Sequence, residues 1–310
     1  MADGLNAMRL GPFLNLLIAL LGAPLLIGVV NRTKAFFAGR RGAPVLQLYF
    51  DLAKLLRKGA VYSRTTTWVF RAGPVAGLAA VLLALTVVPF GNAPALVAFP
   101  GDFVLLASLL ALMRFVTILA ALDTGSSFEG MGASREALFS ALAEPALLIG
   151  LAAIARDTGG VSLSDMLAET SLVDWSRARP AAAIVSIALF VVFLAENSRI
   201  PVDDPDTHLE LTMIHEVMVL DHGGPDLALI LYGAALKFWA LGSLLMGIVL
   251  PATGLQPALG WAVLPAGLVG LAVATGIVES SMARLRLIRV PQLLVGASAL
   301  SVLALVMTLR

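Results

Sequence analysis

The sequence predicts an all-α, polytopic membrane protein, and three observations carry that expectation. Hydrophobic residues make up 59% of the 310-residue chain and charged residues only 13%, at a mean hydropathy of +0.93, whereas a soluble domain carries about 25% charged residues. The apolar residues gather into eight stretches near the length of about 20 that a helix needs to cross a bilayer. The lysines and arginines are shared very unevenly between the two alternating sets of connections.

The eight crossings are expected near 12–31, 70–91, 101–122, 137–156, 180–196, 226–250, 261–282 and 291–309. Glycine and proline mark many of their ends, as in GNAP, PATGLQP and RVPQ. The amino-terminal MADGLNAMRLGP lacks the basic region of a signal peptide, so the run after it reads as a retained helix. The fifth run, Pro180 to Ala195, is short and ends against Glu196, which places that carboxylate at or below the interface.

The connections 32–71, 123–136, 197–225 and 279–290 hold fourteen of the twenty-one Lys and Arg. The termini and the connections 92–100, 157–179 and 251–260 hold five, and Arg114 and Lys237 fall within crossings. By the positive-inside rule the first set is cytoplasmic and both termini face outward. Residues 1–310 thus read as one integral membrane domain. Within the first connection, Pro44 to Lys58 has helical spacing of Val45, Leu48, Leu52, Leu55 and Leu56 and a basic end. That pattern fits an amphipathic helix lying on anionic lipid, or one docking a soluble partner.

Four ionisable residues lie inside or at the edge of crossings: Arg114, Glu144, Glu196 and Lys237. Each costs roughly 2.5–3.5 kcal/mol at the bilayer centre on insertion scales, so such groups face a bundle interior or water. A structural ion pair accounts for two of them; four together favour a hydrated polar axis. Desolvated carboxylates beside a desolvated lysine have pKa values displaced toward neutrality, which a proton relay requires.

The stretch 195–225, AENSRIPVDDPDTHLELTMIHEVMVLDHGGP, concentrates seven of the twenty acids and all three histidines. Asp204-Pro205 reads as an N-cap followed by proline at the first helical position, and the GGP at 223–225 as the stop. The expected acidic-loop helix between them sets His208, His215 and His222 on one stripe, with Asp206, Glu210 and Asp221 roughly opposite. Its apolar residues lie almost all round, as in a helix enclosed by protein. Histidines seven residues apart are about 10 Å apart along the axis, too far to share one ion, so no metal site is expected there. Each histidine has the simpler reading of a hydrogen-bonded core residue. The chain has no cysteine, so thiolate ligation of an iron–sulfur cluster and disulfide formation are excluded. No phosphate-binding glycine loop or zinc spacing occurs.

AENSRIPVDDPDTHLEL, together with GRRGAPVLQLYFDLAKLL, LDTGSSFEGMGASREALFSALAEP and ESSMARLRLIRVPQLL, resembles the subunit 1 family of respiratory complex I. The similarity is greatest to its homologues in formate hydrogenlyase and other energy-converting NiFe hydrogenases. The resemblance covers nearly the whole chain. It implies a heel-like subunit in the cytoplasmic (inner) membrane, joining a cytoplasmic redox arm to antiporter-like membrane subunits, whose acids begin a chain of charged groups coupling electron transfer to H⁺ or Na⁺ translocation.

By motif, the relay and coupling residues implied are Glu144, Glu196, Asp203, Asp206, Glu210, Glu216, Lys237, Glu279, Asp123, His208 and His215. Arg40, Arg41, Asp51, Lys54, Arg135 and Arg199 are implied in ion pairs or partner docking. Iron–sulfur clusters, and in the hydrogenase branch a nickel–iron centre, belong to the partners, an iron–sulfur small subunit and a hydrogenase-like large subunit. No cofactor is expected on this chain, and no nucleic acid among its partners. The alternative is a quinone-site subunit of a respiratory NADH:quinone oxidoreductase. Val202, Asp206 and His208 depart from that branch, which favours an aromatic residue and two glutamates at those positions.

Overall fold

The computed structural model describes residues 2–91, 93–169, 180–204, 213–250 and 257–309, with side chains of 2–10 and 257–258 left aside. Eleven α-helices are defined within them: α1 Ala2–Phe37, α2 Gln47–Leu56, α3 Trp68–Val87, α4 Asp102–Asp123, α5 Ser127–Thr158, α6 Leu163–Glu169, α7 Pro180–Glu196, α8 His215–Met218, α9 Gly224–Val249, α10 Pro257–Ser281 and α11 Val290–Thr308. Among the described residues the only β pairing is an isolated bridge, Phe90 to Ala93. The protein is an all-α polytopic membrane protein. Seven of the helices are long and apolar enough to cross a bilayer; α7 is as apolar but has 17 residues.

The bundle is organised around α9. It packs against α1, α2, α3, α7 and α10, and 72% of its apolar window is buried, against 28–44% for the other long helices. Small residues allow these close approaches. A Cβ on Gly22 of α1 would stand 2.8 Å from the Trp239 ring, and one on Gly242 would stand 2.9 Å from Leu268 of α10. Trp239 in turn stacks on Phe90. On the far side, α5, α7 and α11 pack together, pinned where the Ser301 hydroxyl donates to the Ala146 carbonyl at 2.8 Å.

One end of the bundle carries the basic connections. There Thr67 meets Asp123, Lys34 meets Glu279, and Arg284 meets Asp203. The amphipathic helix expected over 44–58 is α2, with no buried residue of its own. Arg57 and Lys58 follow its last residue, the favourable charge for a helix C-terminus.

Two expectations are corrected. The connection placed at 123–136 is a turn of only 124–126, because α5 begins at Ser127 and runs for 32 residues. Its polar first half stays helical because Glu129, Gly132, Ala133 and Glu136 are buried there, packed in part against α8. Nor is the acidic loop one helix from Pro205 to His222. Met213 and Ile214 are not helical, α8 is four residues long, and a turn follows it. The cause is local: the Asp203 carboxylate accepts the N–H groups of Ile214 and His215, which starts a new helix at that point. Of the proposed cap at Asp204-Pro205 only Asp204 is described, and Pro205, Asp206, His208 and Glu210 lie outside the described residues.

Candidate functional site

The side chains that the sequence left without partners converge where α4, α5, α7 and α9 meet. Arg114, midway along α4, is 6% exposed. Its guanidinium forks, one nitrogen donating to Glu196 at the end of α7 and the other to Glu144 in α5. Such bidentate use of one arginine fixes both carboxylates in place. Lys237 of α9, 4% exposed, lies within electrostatic range of Glu196 and of Glu136, a buried acid two turns before Glu144 on α5. Three carboxylates face two cations. Fully ionised, the five groups leave one excess negative charge, and a single proton neutralises it. In a low-dielectric bundle that imbalance is expensive to hold.

Two cavities adjoin this cluster. A small space of about 10 Å³ is lined by Arg114, Glu136, Ser140, Glu196, Ser198 and Asp203, enough for about one water. The second Glu196 oxygen has no hydrogen-bond partner among the described residues. A larger cavity of about 300 Å³ is lined by Asp51 of α2, Arg199, His215, Glu216 and Lys237, with apolar residues of α1 and α9. It joins the basic end of the bundle to Lys237.

The acidic loop is fastened over these cavities. Asp203 Oδ1 accepts from the Asp204 N–H at 2.9 Å and pairs with Arg284 Nη2 at 3.1 Å, while Oδ2 accepts from His215 at 3.0 Å. Burial pushes the Asp203 carboxyl above its ordinary pKa, partly offset by the His215 N–H and the Arg284 guanidinium. Arg135 of α5 donates to the Met213 carbonyl at 2.9 Å. Glu279, its side chain fully buried, takes Lys34 at 3.0 Å and Arg199 at 3.3 Å. His215 borders the larger cavity, and its pKa is lowered from 6.5 to about 4, first by burial and then by the positive charges of Lys237 and Arg199.

Not every anticipated residue joins the cluster. Asp123 accepts from Thr67 and Phe70 and closes the start of α3. Lys54 is exposed on α2, and Asp51 accepts from Gln47 at 2.9 Å. The histidine stripe is broken: His222 leaves His215 and stacks on Phe70 at 3.9 Å between ring centres. Burial lowers the His222 pKa against the opposing pull of Asp226 and Asp221. Among the described residues no three His, Cys, Asp or Glu side chains converge as metal ligands.

Four residues escaped the sequence reading: Glu129, Glu136, Lys34 and Arg284. The signal for the two acids was present. Positions 129, 136 and 144 are seven and eight residues apart, which sets them near one face of a helix. The first two fall in the polar segment 123–136, whose composition is that of a connection.

The NADH dehydrogenase family model matches residues 12–309. Formate hydrogenlyase subunit 4 of Escherichia coli K12 is 31% identical over 91% of this chain and 92% of its own. Hydrogenase-4 component C of the same organism is 31% identical over 76% of this chain and 73% of its own. A subunit of the NADH-quinone oxidoreductase of Rubrobacter xylanophilus is 29% identical over 56% of this chain and 52% of its own. A chain of the membrane-bound sulfane sulfur reductase, an archaeal respiratory membrane complex, has the same fold, with a TM-score of 0.82 over 97% of this chain and 99% of its own, at 19% identity. With a family model spanning almost its whole length, this chain is a member of the NADH dehydrogenase family, the complex I subunit 1-like membrane proteins.

Proposed function

We propose that this chain is the coupling subunit of a membrane-bound, energy-converting hydrogenase-type complex. It anchors a cytoplasmic arm of an iron–sulfur small subunit and a hydrogenase-like large subunit, and links their electron transfer to movement of H⁺ or Na⁺. The basic end of the bundle is then cytoplasmic and both termini lie on the outer side of the inner membrane.

The observation that carries this reading is the cluster of three acids and two bases. It has an entry and an exit. The 300 Å³ cavity leads to Lys237 from the basic end. The Glu144 side chain, bonded to Arg114, remains 37% exposed in the middle of α5. A carboxylate facing hydrocarbon costs several kcal/mol. Glu144 therefore calls for a neighbouring membrane subunit that continues the polar row, as an antiporter-like partner does.

Each redox event docked over the acidic loop would alter the field at Asp203, Glu216 and His215. The proton held among Glu136, Glu196 and Glu144 then moves toward the side where it is best neutralised. Arg114 does not give up its proton. It makes the charge on Glu196 felt at Glu144, because one guanidinium serves both.

Glu196→Gln and Glu144→Gln in the intact complex test this directly. In sealed vesicles, redox turnover should continue while ion uptake per electron is lost. Normal uptake in both variants would remove the acids from the path. A second reading, a quinone-reactive chamber, is favoured by the size of the 300 Å³ cavity, at the lower limit for a small-molecule site. Inhibitor-sensitive quinone reduction by the purified complex would establish it.

A further inference from the structure

At the basic end of α1 the chain builds a further pocket. We infer that the groove between the end of α1 and the end of α10, lined by Lys34, Arg40, Arg41, Gly42 and Ser280, holds the phosphate of an anionic phospholipid.

The loop that forms it has a fixed shape. The helix α1 ends in a Schellman motif: Gly39 has φ +64°, its N–H bonds the Phe36 carbonyl, and the Arg40 N–H reaches back to Ala35 at 2.9 Å. The chain then returns so tightly that a Cβ on Gly42 would stand 2.3 Å from that of Ala35. Arg32 donates to the Gly42 carbonyl at 3.3 Å and holds the return in place. The result is a preformed groove of about 460 Å³.

Its charge is strongly positive. Glu279, the acid in the lining, is engaged by Lys34 and Arg199. Arg40 and Arg41 are exposed, and neither has an ion pair among the described residues. Two arginines line the groove, the residue type that favours phosphate.

Depth selects a lipid rather than an acidic protein surface. The apolar span of α1, Gly11–Phe37, has 27 residues. At 1.5 Å per residue it is about 40 Å long, more than the hydrocarbon core of about 30 Å, so its basic end lies among headgroups. Phe36 and Phe37 stand beside the pocket, 79% and 56% exposed and packed edge to face at 5.8 Å. Exposed aromatic rings next to basic side chains suit the boundary between headgroup and acyl chain.

The test uses the purified complex, stripped of lipid and then offered phosphatidylglycerol or phosphatidylcholine, with retained lipid counted by native mass spectrometry. The wild type should keep phosphatidylglycerol in preference to phosphatidylcholine. Removing both charges in the R40Q/R41Q variant should weaken that retention roughly 10- to 30-fold. R40K/R41K should retain most of the lipid and R64Q all of it.

Equal retention of the two lipids, or unchanged retention in R40Q/R41Q, would overturn the assignment. Loss of soluble subunits from R40Q/R41Q with lipid unaltered would transfer the groove to an acidic protein partner. Displacement of the lipid by inorganic phosphate alone would make it a site for the free ion.

Discussion

Asp203 and Arg284 meet at 3.1 Å with 2% and 15% of their side chains exposed, joining the neck of the acidic loop to the segment that follows α10. The same carboxylate starts α8 by accepting from Ile214 and His215. Asp203 is thus a clasp across the base of the loop, and the segment that follows α10 holds it from outside.

Replacing Asp203 by Asn removes the charge that faces Arg284 and keeps the side-chain shape. Hydrogen bonds to a charged group are worth about 1.5–3 kcal/mol, so amide exchange at Ile214 and His215 should accelerate roughly 10- to 100-fold. Hydrogen–deuterium exchange on the intact complex reads this directly. Exchange at the wild-type rate would mean that α8 is held by its apolar contacts alone.

Glu136 supplies the excess negative charge of the buried cluster. In Glu136→Gln the two remaining acids balance Arg114 and Lys237, and nothing calls for an added proton. Ion translocation per electron should fall roughly 10-fold, equivalent to about 1.4 kcal/mol on the transfer step. The melting temperature should hold, because a neutral amide of the same shape takes the place of one acid and the proton it calls for. Arg114→Gln acts oppositely: breaking a buried pair from the cation side costs roughly 3–5 kcal/mol, and the complex should melt earlier. Vesicle acidification and thermal melts of the two variants separate charge balance from packing.

His215 makes stability depend on pH. Its pKa of about 4 in the folded chain lies below the ordinary 6.5, so the unfolded chain binds more protons between those values. The stabilisation is full above pH 6.5 and is lost as pH falls toward 4, amounting to at most roughly 3 kcal/mol. His215→Gln should flatten the melting curve across that window while leaving stability at neutral pH little changed. A slope that survives the substitution would have to come from other groups.

Much of this was legible in the chain itself. Long apolar runs bounded by glycine and proline reveal membrane helices, and Arg114, Glu144, Glu196 and Lys237 are conspicuous because hydrocarbon surrounds them in sequence. Which of them meet is a tertiary property. Arg114 and Glu196 are 82 residues apart, and nothing in either segment encodes the angle at which α4 and α7 approach. Glu129 and Glu136 were hidden for a different reason. Their segment, SFEGMGASREALFS, is polar enough to read as a loop, and it stays helical because α8 packs on it. The acidic-loop helix failed through a side chain: helical periodicity through 213–214 was good, but Asp203 offered the N–H groups of Ile214 and His215 a better acceptor.

Gly132 shows how closely α8 is set on α5. A Cβ at that position would stand 2.3 Å from Val217 Cγ1, 2.8 Å from the Ile214 carbonyl oxygen and 3.0 Å from Met218 Cγ. A side chain can rotate away, but a carbonyl oxygen at 2.8 Å forces the backbone to shift. Gly132→Ala should therefore push α8 and His215 off α5, costing roughly 1–3 kcal/mol as an overpacked contact. Ion translocation per electron should drop with redox turnover retained, because the acids of the buried cluster are untouched and only the loop above them has moved. Adding Val217→Ala clears the nearest clash and should restore part of the loss. The Ile214 carbonyl would still be crowded, so restoration should stop short of wild type. Full coupling in Gly132→Ala would mean that α8 shifts freely on α5 and that its position does not govern the acids beneath it.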